Sequence, residues 1–410
     1  MYVAFMGTAA AIGLFRTAAF ARYLTPTFMG YYAVATTVAG YGMLLQLGLL
    51  SGLARELAVA LGGGRRTYAS GLVGETTVAL MLLYAAGLSV YFLILALIPI
   101  EDPTLKAAMR YGGLLAPSSA LLAVVMLRLR SEQRPMAFSL LQLVTSVGTL
   151  ILGVTAALFF SYGEVVLAAV GINVVAFFVG SRFLLPQVNY AHLRIAELKY
   201  LSRIGMPAMF AGVLLTFQNT MDRLFLLQRG GAEDLGLYQV GALPLTAGLV
   251  ISGIVSQYVQ PALLFKFGEG KSIGWVVTRT FAVSLTVLVL MLLSWPVVVP
   301  TLGYVVGRWL PDYQASVPLF SVFYVGSAFT AANLTGVITH ALNRQRLVLY
   351  ASIVTTTLGL VAYSFIGRRD DGLVPYAYAN AGLQVINYFL TAGLAYHAAT
   401  VAGGGVSAGS

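Results

Sequence analysis

Arg16 stands near the middle of an apolar stretch that begins at Tyr2, and Asp222 stands in a second that begins after Arg203. A charge at the centre of a bilayer costs about 2.5–3.5 kcal/mol unless it faces a cavity or a partner. A guanidinium so placed offers a planar fork that pairs bidentately with phosphate oxygens. The competing reading is an arginine that snorkels from a shallow, tilted first helix. A carboxylate so placed takes up a proton or a sodium ion, or forms an ion pair. Arg223 is its chain neighbour, but adjacent residues do not face each other on a helix. At 100° per residue, Gln218 and Asn219 fall on roughly the same helical face as Asp222. Asn380, Gln384 and Asn387 recur at i, i+4 and i+7, extended by Tyr376 and Thr391, and Thr330, Asn333 and His340 form a second polar stripe. In lipid such stripes turn to water and a polar ligand, or they bond helix to helix. Arg22 lies nearer an interface and reads as an anchor or a second cation. Arg55 sits beside Glu56 and reads as a surface pair or a further anion contact.

The rest of the composition narrows the chemistry. Of 410 residues 59% are hydrophobic and 9% charged, and none is cysteine. A soluble domain carries about 25% charged residues, so the bilayer must solvate most of this chain. Without cysteine there are no disulfides, thiolate nucleophiles or zinc-thiolate sites. His192, His340 and His397 lie far apart, which gives no metal-ligand spacing. No paired-carboxylate or nucleotide-binding motif appears, and no external loop is large enough for a glycan polymerase or glycosyltransferase site, so an enzyme is not expected. The net charge of +10 reports orientation and contact with anionic lipid rather than nucleic acid. No cofactor is expected beyond a proton or sodium ion for coupling, and no metal.

A helix needs about 20 residues to cross the hydrocarbon layer. Apolar runs cut at polar, Gly and Pro breaks give twelve expected spans: 2–22, 28–50, 69–99, 107–127, 136–160, 164–185, 204–228, 236–263, 274–300, 313–340, 346–366 and 373–399. The narrowest cut is Ser161–Glu164, between the fifth and sixth. The first run meets Arg16 and Arg22 rather than a small-residue cleavage site, so it reads as a span and not a signal peptide. Of the 24 Lys and Arg, 15 fall at one set of span ends, 8 at the other, and Arg16 within a span. The positive-inside rule puts the richer side, and with it both termini, in the cytoplasm of a plasma membrane. Residues 1–186 are expected to form one lobe of six helices and 204–400 a second. Between them, 187–203 is a linker whose Leu193, Ile195, Leu198 and Leu201 suit either the membrane surface or a solvated loop. The Gly- and Ala-rich tail 401–410 is expected to be disordered. Pro117, Pro207, Pro244, Pro318 and Pro375 could bend spans four, seven, eight, ten and twelve.

The two halves match each other. Arg22–Tyr32 joins spans one and two, and Gln228–Tyr238 joins spans seven and eight, with Gly30 aligned to Gly236 and Tyr32 to Tyr238. Fourteen residues before each glycine stand Arg16 and Asp222. Both halves start on the same side, so this is a parallel repeat.

The stretch Phe20–Ala35 (FARYLTPTFMGYYAVA) resembles the first loop of polysaccharide flippases of the O-antigen type, as does Gln46–Ala58 (QLGLLSGLARELA). Tyr200–Pro207, Asn219–Arg223 and Asp234–Tyr238 are similar to that family's second-half signature. These motifs mark the superfamily shared by oligosaccharide flippases, the lipid II flippase and multidrug/toxin exporters. The resemblance implies an all-α integral membrane fold with about twelve helices in two six-helix lobes around a central cavity. The implied function is alternating-access transfer of a polyprenyl-pyrophosphate-linked oligosaccharide to the outer leaflet for surface polysaccharide synthesis. The expected location is a bacterial or archaeal plasma membrane. Partners would be that lipid-linked oligosaccharide, membrane lipids and polysaccharide-assembly proteins. Pyrophosphate needs fixed cations, for which Arg16, Arg22 and Arg55 are candidates, and sugar hydroxyls need amides such as Gln218, Asn219, Asn333, Asn380 and Gln384. Asp222 is the candidate for ion coupling. A multidrug exporter is the alternative; cationic substrates want buried carboxylates, and only Asp222 and Glu75 stand within spans away from their ends. The short start, lacking a basic lead-in to span one, departs from the family pattern.

Overall fold

Every expected span coincides with helix in the structure, a computed structural model that describes residues 2–62, 64–132, 134–184, 194–268, 272–342, 344, 346–367 and 372–404. Among the described residues, eight helices are long and apolar enough to cross a membrane, or nine with one bent pair counted as a span. The protein is a multi-pass, all-helical membrane protein.

Helix starts follow local chemistry. Span two opens as α2 (Pro26–Gly42), with Thr25 accepting from the Phe28 N–H and proline in the first turn, where no helical N–H is lost. Asp102 caps α5 (Pro103–Ser131) through the N–H groups of Thr104 and Leu105. The narrow cut between α6 (Pro135–Phe159) and α7 (Tyr162–Val179) holds because Ser161 and Glu164 form a reciprocal capping box. The prolines divide by position. Pro117 and Pro207 lie inside helices, whereas Pro244, Pro318 and Pro375 occupy first turns and start helices instead of bending them.

The chain divides into two compact units, Met1–Thr216 and Phe217–Ser410. In the first, α1 (Tyr2–Tyr23) packs on α6 and α2 on α5. Span two does not run straight. It turns at Leu47 and Gly48, both with positive φ, and continues at 64° to its former course as α3 (Leu49–Gly62). Gly48 is needed twice over, because a Cβ there would also meet the backbone of Gly205 and Met206. These two belong to α8 (Ile195–Gln218), which approaches α3 so closely that Gly52 abuts the Leu201 backbone and Gly205 the Gly48 carbonyl. Residues 195–203, expected as linker, are therefore the first turns of α8. Leu201 is buried in the core with Leu53, Leu57, Leu72 and Leu80, while Ile195, Lys199 and Tyr200 are exposed. His192 and Leu193 lie outside the described residues. The seam with α3 places 204–216, expected in the second lobe, in the first unit.

The second unit contains α9 (Met221–Gly241), α10 (Leu243–Gly268), α11 (Ile273–Trp309), α12 (Val317–Ala332), α13 (Gly336–Ala341), α14 (Arg346–Ile366) and α15 (Val374–Gly404). Gly231, with φ of 75°, reverses the chain inside α9 and so forms the turn between spans seven and eight. The core gathers Met221, Tyr238, Phe323, Tyr363 and Tyr376 from α9, α12, α14 and α15.

Candidate functional site

Span seven is broken where its polar residues begin. α8 ends at Gln218, Asn219 and Thr220 form a turn, and α9 starts at Met221. Gln218, Asn219 and Asp222 thus do not lie on one continuous helix, yet Asn219 and Asp222 both turn to α15, where Gln384 and Asn380 meet them. Asp222 gains from the break, because it sits in the first turn of α9, where unsatisfied N–H groups and the helix dipole favour an anion. It is 2% exposed. One carboxylate oxygen accepts from the Tyr238 hydroxyl and from Asn380 Nδ2, each at 2.7 Å, and the other from the Arg223 N–H at 2.8 Å. Three donors and a helix start replace the water lost on burial. Among the described residues Asp222 forms no ion pair, so the expected arginine partner is not there; Arg223 instead has its Nε shielded and unbonded. Asn380 Oδ1, on the amide that donates to the carboxylate, is buried without a partner, as are the hydroxyls of Tyr363 and Tyr376 in the same core cluster. Tyr363 stacks on Tyr376 with ring centroids 6.0 Å apart.

The stripe on α15 continues from this point. Gln384 donates to Asn219 Oδ1 and accepts from Thr330 of α12, both at 3.2 Å. Thr391 donates to Asn333 Oδ1, also at 3.2 Å, and Thr335 donates to the same atom. Asn333 lies in the break between α12 and α13, with ψ of 81°. The amides of Asn219, Asn333, Asn380 and Gln384 therefore tie two broken helices to α15. Helix-to-helix bonding, one of the two readings of the stripes, describes most of these contacts. Asn387 Oδ1 is shielded without a partner, and the His340 side chain lies outside those described. Gln218 differs from all of them: it is 1% exposed and neither end of its amide has a partner. A native protein rarely leaves such an amide unpaired without a functional reason.

The three candidate arginines all belong to the first unit, Arg16 and Arg22 on α1 and Arg55 on α3. Arg16 is half-buried on α1, and its Nε is shielded with no hydrogen bond. Arg22 is exposed at the end of the same helix. Arg55 is exposed on α3, and among the described residues it forms no ion pair with Glu56, one of the two readings of that neighbour. Glu56 turns instead to Arg65 at 3.6 Å and to the Tyr200 hydroxyl at 3.4 Å.

Two charge clusters went unseen in the sequence. Glu75, 2% exposed in α4 (Arg66–Leu97), accepts from Arg194 Nε at 2.6 Å, while Tyr68 donates to Glu197. Hydrogen bonding to the Glu75 carboxylate raises the Arg194 guanidinium above its ordinary value. Arg128, 3% exposed in the last turn of α5, is held by Glu132 at 2.6 Å and by Ser70. Arg128 and Glu132 stand at i and i+4, a spacing that signals such a pair. Nothing in the sequence joins Glu75 to Arg194, 119 residues away.

The sequence profile of a family described as polysaccharide biosynthesis protein matches residues 19–302, from α1 into α11. The chain belongs to that family. Among solved structures, the family member is similar to the lipid II flippase MurJ in an inward closed conformation, with a TM-score of 0.69 at 13% identity over 95% of this chain and 86% of that one. It is also similar to an inward-facing multidrug resistance MATE transporter of the MOP superfamily, with 0.68 at 14% identity over 97% and 95%. A point mutant of the Vibrio cholerae MATE transporter VcmN gives 0.67 at 17% identity over 98% and 94%. At these identities the likeness is one of fold. No curated protein matches the chain significantly.

Proposed function

We propose that this member of the polysaccharide biosynthesis family flips a polyprenyl-pyrophosphate-linked oligosaccharide from the cytoplasmic to the outer leaflet of a plasma membrane, by alternating access. The observation that carries the reading is the coincidence of family and fold. A polysaccharide biosynthesis profile covers more than two-thirds of a chain folded like lipid II flippase and exporter proteins. Arg16 is the proposed pyrophosphate contact, since a guanidinium with a shielded, unbonded Nε is ready to receive an anion. Arg22 and Arg55, both exposed, are secondary contacts at most. Gln218 is the proposed sugar contact, because its amide is committed to nothing else. Asn219, Asn333, Asn380 and Gln384 reach substrate only if their mutual bonds open. Asp222 is the proposed coupling residue for a proton or sodium ion: a buried carboxylate beside the unpartnered amide oxygen of Asn380 suits either. The arginine and lysine distribution supports both termini in the cytoplasm.

Deleting the gene should stop surface polysaccharide and accumulate its lipid-linked repeat unit inside the cell. Arg16→Ala should reproduce that block with the protein still present in the membrane. Unaltered glycan together with raised sensitivity to cationic drugs would instead favour a multidrug exporter. That second reading is supported by Asp222, a buried carboxylate of the kind cationic substrates require.

A further inference from the structure

The last turn of α5 and the residues just after it carry three arginines, and their fates differ. Arg128 and Arg134 both reach Glu132, at 2.6 and 3.6 Å. Arg130 is exposed and, among the described residues, has no hydrogen-bond or ion-pair partner. It stands at the mouth of a cleft of about 390 Å³ between α5 and α6. The α5 wall follows a single helical face inward from Arg130 through Met126 and Leu122 to Ser119; Phe138 and Gln142, one turn apart on α6, form the other. At about 1.5 Å per residue, the cleft reaches roughly 16 Å down α5 from its charged mouth. Behind it Val125, Leu129, Leu141 and Phe177 form a closed core, so the floor is fixed.

We infer that this cleft binds one anionic glycerophospholipid of the arginine-rich leaflet, phosphate on Arg130 and an acyl chain along Met126, Leu122 and Phe138. Three observations converge on that occupant. The unpaired cation lies at a helix end, at the level of lipid phosphates, and attracts an anionic headgroup. The walls below it are mostly apolar, Gln142 and Ser119 excepted, and suit a chain rather than a sugar. The cleft has the size of a single acyl chain, about 390 Å³ and roughly 16 Å long. A polyprenyl chain is several times longer and would lie mostly outside it. The inference is independent of which glycan, if any, the protein carries.

The test is native mass spectrometry of the purified full-length protein titrated with phosphatidylglycerol, phosphatidylcholine and undecaprenyl phosphate. Phosphatidylglycerol should be retained best. Arg130→Ala should weaken it about fivefold, the worth of one basic residue near an anionic lipid. Arg130→Lys should keep most of the binding. Ala123→Phe, which fills the cleft, should weaken phosphatidylglycerol and phosphatidylcholine alike. Arg134→Ala removes an equal charge from the same helix end but outside the cleft, and should leave binding unchanged. Equal losses in Arg130→Ala and Arg134→Ala would reduce the effect to general surface charge and overturn the site. Displacement of phosphatidylglycerol by undecaprenyl phosphate would overturn the choice of occupant.

Discussion

The repeat sets Arg16 and Tyr32 of the first half against Asp222 and Tyr238 of the second, and the two pairs have settled into opposite conditions. Asp222 is sealed and saturated: the tyrosine sixteen residues on donates to it, α15 supplies an amide, and a helix start supplies a backbone N–H. Arg16 is half-open with its Nε unbonded, and Tyr32 turns edge-on to Phe20 at 5.5 Å between centroids. The same register thus holds an anion already satisfied by its own unit and a cation still available. At rest one position is held by three hydrogen bonds and the other keeps a bonding group unused. Positions matched in the sequence repeat therefore carry opposite charges in unlike surroundings.

The sharpest way to break this contrast is to truncate both residues. Asp222→Ala strands three buried donors and should lower unfolding stability by about 3 kcal/mol or more. Arg16→Ala strands nothing and should stay within about 0.5 kcal/mol of the parent, although transport stops. Detergent melting curves beside a flipping assay would show it, and equal destabilisation by the two would end the distinction. The tyrosines sharpen it further. Tyr238→Phe deletes a hydrogen bond to a carboxylate and should cost about 1.5–3 kcal/mol, whereas Tyr32→Phe should be silent. A smaller effect lies outside the spans, at Asp102. Burial alone would raise its carboxyl, but bonds from Tyr31 and the N–H groups of Leu105 and Thr104 outweigh it and hold the group below its ordinary value. Its stabilisation is therefore complete above the unfolded value of about 3.9 and fades as pH falls through the lowered folded one. Asp102→Ala should cost about 1 kcal/mol at neutral pH, and the gap to the parent should close in acid.

Sequence patterns located the helices because each start is written locally: Thr25 before Pro26, Asp102 before Pro103, Ser161 with Glu164. The interruptions were harder to read. Phe217–Thr220 contains neither proline nor glycine, so a break there follows from tertiary contacts that polar spacing does not encode. Asn333 looked like a member of a stripe and proved to sit in a break between helices. Leu47 adopts a left-handed conformation that its residue type does not announce. Of the candidate site, Asp222 and Asn380 were legible as polar residues in lipid. Tyr238 was noticed only as a repeat match, since a tyrosine in an apolar run gives no sign that its hydroxyl has a partner. A charge at a span end, as at Arg55, looks alike in sequence whether it faces a ligand or water.

The glycine contacts of α8 with α3 carry a practical corollary. Gly48, Gly52 and Gly205 bring two backbones together with no space for a methyl group, so the seam is closed to almost any substitution. A duplicated gene would be cut by eye in the polar stretch before residue 204, yet a polypeptide severed there would leave a helix of the downstream fragment docked on the upstream one. Fragments that refold separately should instead be divided next to Phe217, where the inherited boundary and the physical one part company.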